Sequence, residues 1–174
     1  MIAVTGATGN TGRVIAETLL AKGQEVRVIG RKNFGIEGGE LRADLRVPMI
    51  ATRDIAVVAA DLLQKRNFTG KQARELHGQR DLTYREVTSM IGHTIGKADL
   101  SYVQLLPEQL KPAMIQMGIS PQVADQLLEL AEALSSGHIV ALERRSAANT
   151  TPTSIEEFVA KEFVPRFRAM AARA

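Results

Sequence analysis

Cysteine is absent from this chain of 174 residues. That excludes disulfides, thiolate metal sites and a cysteine nucleophile, and it fits a reducing, cytoplasmic setting. No apolar run approaches the roughly 20 residues of a membrane span, so no membrane association is expected. The chain opens on an apolar segment without a basic leader, so no secretory signal is expected. The three histidines, His77, His93 and His138, are scattered without ligand spacing, which argues against a metal site. Internal repeats, coiled-coil heptads and low-complexity tracts are missing as well. Net charge is only +3, and its placement is more telling than its size. Residues 1–32 carry Arg13, Lys22, Arg27, Arg31 and Lys32 against Glu17 and Glu25, which leaves seventeen side chains of each sign in the remainder. An excess confined to one short stretch suits a small anion better than nucleic acid, which needs a wider basic face.

What remains is an ordinary globular composition, 45% hydrophobic and 24% charged, at a length that supports one domain with a core. Its first twelve residues stand apart. The apolar start Met1 to Val4 leads into Thr5-Gly6-Ala7-Thr8-Gly9-Asn10-Thr11-Gly12, three glycines spaced G-x-x-G-x-x-G. Ile2 to Thr5 reads as a strand. The helix that follows carries Val14, Ile15, Leu19 and Leu20 inward and stops at Lys22-Gly23. Glu25 to Gly30 alternates, with Val26 and Val28 on one face, and reads as a second strand. Together these make one βαβ unit.

Farther on, Asn33 to Val47 reads as loop with a short strand at Glu40 to Ala43. Asp54 to Gln64 is an amphipathic helix with Ile55, Val58, Ala59 and Leu62 on its stripe. Ala73 to His77 reads as a strand ended by Gly78. Thr83-Tyr84-Arg85-Glu86 is a capping box opening a helix that Gly96 closes. Leu100 to Leu106 reads as a strand, and Pro107 to Met117 as helix interrupted at Pro112. Ser120-Pro121 starts a helix that uses Val123, Leu127, Leu130, Ala131 and Leu134. Thr153 to Glu156 is a second capping box, and Pro165 should end or kink the helix it opens.

The glycine-rich turn makes a cradle for a diphosphate. A helix N-terminus presents unpaired N–H groups and a partial positive charge, and phosphate oxygens are the matching acceptors. Gly6 permits the tight turn, Gly9 clears the ligand's approach, and Gly12 lets helix and strand pack closely; Ala7, Thr8, Asn10 and Thr11 complete the loop. The plain alternative is a glycine-rich turn without a ligand. At the end of the second strand an acidic residue would accept from the ribose 2′-OH of NAD. Here Arg31-Lys32 stands instead, a pair suited to a 2′-phosphate, so NADP(H) is preferred and NAD(H) is second; a solvated basic pair is the bland reading. Arg13 reads equally well as a phosphate contact or as a surface residue.

These residues resemble the NmrA-like family of atypical short-chain dehydrogenases. Pro48 to Ala56, Leu76-His77-Gly78 with Leu82 to Glu86, and Asn149 to Ser154 with Glu157-Phe158 resemble its second-half segments. The resemblance implies a Rossmann domain binding NAD(P)(H) with a small C-terminal lobe over the cofactor. It also implies quinone or small-carbonyl reduction, although members include cofactor-binding sensors. The departure is a missing middle. On the order of 100 residues separate the second strand from the second-half segment in a full set of βα units, and here Arg31-Lys32 runs almost straight into it. Three explanations compete: an internally shortened form, a natural minimal one, or a longer chain with a stretch of its middle omitted from this sequence. No Tyr-x-x-x-Lys pair exists, since Tyr84 is followed by Thr88 and Tyr102 by Leu106. No catalytic residue is therefore named.

The fold expected is α/β, a Rossmann-like doubly wound sheet represented by its first βαβ only, with a mainly helical C-terminal lobe. Residues 1–32 form the βαβ, and residues 33–174 the substrate or lid half of the same domain. The function expected is an NADP(H)-dependent oxidoreductase acting on a small molecule, with a cofactor-binding sensor or an inactive remnant as alternatives. The open edge of the first strand needs a cover: Ala73 to His77, Leu100 to Leu106, or a second copy of the chain. Tyr84, Tyr102, Met114 and Met117 read as core before pocket, and Arg53-Asp54 as a helix start beside a surface arginine before a functional pair.

Overall fold

A parallel pair of strands opens the chain. The computed structural model describes residues 1–5, 10–29 and 41–171. β1 (Ile2–Thr5) and β2 (Val26–Ile29) run side by side in the register Ile2 to Val26 through Thr5 to Ile29, and α1 (Asn10–Ala21) connects them. The Ile2 amide donates to the Glu25 carbonyl at 2.8 Å. The expected first βαβ is therefore present. No other strand joins this sheet among the described residues, and helix predominates, so a doubly wound sheet is not seen there.

The described chain divides into two units. The first comprises Met1–Asn33, Ile50–Gln79 and Arg145–Thr153. Its core is built from Val4 of β1, Ala16 and Leu19 of α1, and Ala60 of α2 (Thr52–Lys65), flanked by Ile2, Ile15, Val26 and Leu63. Ala16 and Leu19 lie three residues apart, as one helical face requires. Leu20, expected inside, is 55% exposed because it falls off that face. On α2 the fully buried positions are Ala56 and Ala60 rather than the larger residues of the expected stripe. Side chains this small let α1 and α2 approach closely. The C-terminal ends of the two helices meet where Lys22 Nζ donates to Gln64 Oε1 at 3.3 Å.

α2 ends on Arg66 in the left-handed region, φ 49°, with its amide on the Leu62 carbonyl. That conformation costs an L-residue roughly 1–2 kcal/mol. Arg66→Gly is expected to stabilise the chain by about 1 kcal/mol and to raise Tm by a few degrees in a thermal melt. A lower Tm would show that the arginine side chain outweighs the strain.

The second unit comprises Phe34–Met49, Arg80–Arg144 and Ser154–Ala174. α3 (Tyr84–Ile95) carries the expected capping box, and Gly96 closes it at φ 80°. α4 (Pro107–Gln116) and α5 (Pro121–Ser135) form a helical hairpin around Leu110, Met114, Ile119 and Ala124. Its turn is closed by Gly118 at φ 88°, and Ser120 caps α5 through the Val123 amide. The last helix is α6 (Ile155–Phe158), a π-turn (Val159–Phe163) and α7 (Val164–Ala171) in unbroken succession.

Several sequence expectations need correction. Residue 40 lies outside the described residues, and 41–43 form no strand. Ala73 to His77 reduces to a single bridge between His77 and Thr150, because the next amide that would extend the ladder, that of Thr153, donates to Asp54 instead. Leu100 to Leu106 forms no strand either; Val103 and Leu106 are 65% and 59% exposed, so alternation there does not mark a buried face. Neither segment therefore pairs with β1. α4 passes through Pro112 unbroken, with Pro112 exposed and Leu110 and Met114 buried. Pro112 has no N–H to offer the Glu108 carbonyl, and its exposed position keeps the proline ring out of the core. The last helix starts one residue late: Ser154, not Thr153, caps it by accepting from the Glu157 amide at 3.1 Å. Pro165 does not end it. The Val164 amide reaches back five residues to Val159, and the wider turn makes room for the proline ring.

Candidate functional site

The parallel register brings the carboxyl ends of β1 and β2 to the same edge of the sheet, and α1 begins at that edge. In α/β sheets this is where ligands settle. Asn10, Thr11 and Gly12 form the first turn of α1. That turn holds no acidic residue, so no carboxylate of its own offsets the positive end of the helix dipole. The first turns of α5 and α7 are likewise free of acid, whereas α2, α3 and α4 carry Asp54, Glu86 and Glu108 in theirs. Gly6, Ala7, Thr8 and Gly9, and likewise Arg31 and Lys32, lie outside the described residues. Arg13 points along the helix to Glu17, Nη1 to Oε1 at 3.4 Å, as an exposed i,i+4 pair. This favours its surface reading over a phosphate contact.

The Arg53-Asp54 pair belongs to a buried tie. Asp54, 7% exposed, accepts from the Thr153 amide at 3.0 Å and from the Thr153 hydroxyl at 2.7 Å. The Thr153 oxygen in turn accepts from Arg53 Nε at 3.0 Å. The first turn of α2 is thus stitched to a segment a hundred residues later. The sequence pattern places Thr153 in a helix cap; no local pattern marks a partner so distant.

The same segment is held along its length. Thr151 donates its amide and its hydroxyl to the His77 carbonyl, at 2.8 and 3.0 Å, and the His77 amide donates to Asn149 at 2.7 Å. Arg145 donates to the Gly78 carbonyl, Arg74 to Ala148, and Gln79 to Pro152. His77 is buried, its Nε2 has no hydrogen-bond partner among the described residues, and a Glu75 carboxylate oxygen lies 4.0 Å from it. Among the described residues no group of three or more His, Asp or Glu side chains is placed to hold a metal ion. None of the described helices is long and apolar enough to cross a membrane.

In the second unit a groove of about 270 Å³ lies between α3 and the π-turn. Met90, Val159 and Ala160 form its apolar wall, and Ser89, His93, Thr94 and Glu156 its rim. The rim is already occupied by internal bonds. Thr94 donates to the Met90 carbonyl at 2.7 Å, His93 Nδ1 sits 2.7 Å from the Ser89 carbonyl, and Glu156 is paired with Arg80. Nothing there converges on a reacting atom. Tyr84 and Tyr102 pack ring to ring at 5.2 Å, and Tyr102 donates to the Leu41 carbonyl at 2.8 Å. Burial pushes the Tyr84 phenol up; burial and then Tyr84 push Tyr102 up. Both move away from the range in which a phenol gives or takes a proton at neutral pH. Met114 is core, as expected, while Met117 is 46% exposed.

The α3 cap supplies an acid-sensitive contact. The Glu86 carboxylate accepts from the Thr83 amide at 2.7 Å and from its hydroxyl at 3.0 Å, which holds it below the ordinary carboxylate range. A depressed folded value contributes stability that is complete above the unfolded value of about 4.3 and is lost as pH falls through the folded one. Glu86→Gln keeps an acceptor and removes the titration. Its Tm is expected to fall less than that of the parent chain between pH 5 and pH 3. Parallel Tm–pH curves would exclude this contribution.

No protein-family model, curated protein or solved structure matches this chain.

Proposed function

We propose that the chain binds a nicotinamide dinucleotide, NADP(H) ahead of NAD(H), at the shared carboxyl edge of β1 and β2, as the first βαβ of a Rossmann-type fold. The observation that carries this reading is the parallel β1–α1–β2 unit, whose connecting helix starts at that edge with an acid-free first turn. The chemistry of Gly6, Gly9 and Gly12, and of Arg31 and Lys32 for the 2′-phosphate, supports it from the sequence. When bound, NADPH would supply a hydride. The chain's part would be to hold the diphosphate on backbone amides and to select the phosphorylated ribose with two cations. An oxidoreductase acting on a quinone or small carbonyl is the activity that the resemblance implies. The absence of a Tyr-x-x-x-Lys pair and the raised phenols favour a second reading, a cofactor-binding sensor without turnover.

Titration calorimetry with NADP⁺ and NAD⁺ tests the ligand. NADP⁺ is expected to bind more tightly, and Arg31→Glu to weaken it roughly 10- to 100-fold, the worth of a charge-assisted contact of about 1.5–3 kcal/mol. NAD⁺ should change little. Failure of both dinucleotides at millimolar concentration sinks the proposal, and equal weakening of both sinks the 2′-phosphate assignment. NADPH oxidation against a quinone panel then separates reductase from sensor.

A further inference from the structure

We draw no further inference here: the strongest candidate, the aliphatic stripe of α5 on which Val123 and Leu130 stand exposed, is an unpartnered helix face, and nothing in the structure shows what covers it.

Discussion

Asp54→Ala is expected to destabilise the chain by about 2–4 kcal/mol, seen as a Tm lower by roughly 4–16 °C. The carboxylate is 7% exposed and takes two hydrogen bonds from Thr153, one from the amide and one from the hydroxyl. Removing it leaves a buried N–H without an acceptor, and the full desolvation penalty of that group is then unopposed. It also takes away the anion 3.9 Å from Arg53. Asp54→Asn is the sharper comparison. It keeps the shape and an acceptor for the Thr153 amide but loses the charge and the second acceptor, so it should recover only part of the loss. A double-mutant cycle with Thr153→Val isolates the share of the hydroxyl, because the backbone amide still donates to Asp54 in the valine chain. Strict additivity of the two substitutions would show that the hydroxyl contact carries no coupling.

Leu19→Ala carries the other large expectation, a loss of about 2–5 kcal/mol measured by denaturant unfolding. Leu19 is 0% exposed, among Val4, Ala16 and Ala60. Its buried neighbours on the helices are alanines that cannot lean far into the vacated space, while Ile15 and Leu63, packed against the same cluster, set how far the cavity closes. The midpoint should move without a change in slope, since the surface exposed on unfolding is nearly the same. A loss under 1 kcal/mol would show that α1, sheet and α2 collapse around the gap. The substitution also bears on ligand binding: Leu19 fixes α1 against the strands, and α1 carries the helix end proposed to hold the diphosphate. Weaker NADP⁺ binding in a still-folded Leu19→Ala chain would link that packing to the site.

The elements legible in the sequence are those whose signals are local. The β1–α1–β2 unit is written in a short apolar run, a helical period and a glycine stop, all within thirty residues. The caps at Thr83, Gly96 and Ser120 are equally local, each a side chain or a φ value acting over one turn. The failures share a different cause. Thr153 looked like a cap because Glu156 stands three residues on, yet its hydroxyl is taken by Asp54, 99 residues away, and the cap passes to Ser154. Ala73 to His77 and Leu100 to Leu106 have strand-like composition, but a strand exists only where a partner offers a ladder, and composition does not say whether one does. Of the candidate site, the helix start at Asn10 to Gly12 and the strand edge were foreseeable, whereas the Arg53–Thr153–Asp54 tie was not.

The π-turn has a consequence for how this helix can change over time. Five residues complete a circuit where fewer would do, so Val159–Phe163 amounts to one residue spliced into an otherwise regular helix. Elsewhere in a helix, losing a residue rotates everything downstream by about 100° and misaligns the buried face. Here a deletion would restore the regular winding, but it would also press the ring of Pro165 against a carbonyl one turn back. The insertion and the proline are therefore tenable together and costly apart. A chain that lost one of them would be under pressure to lose the other.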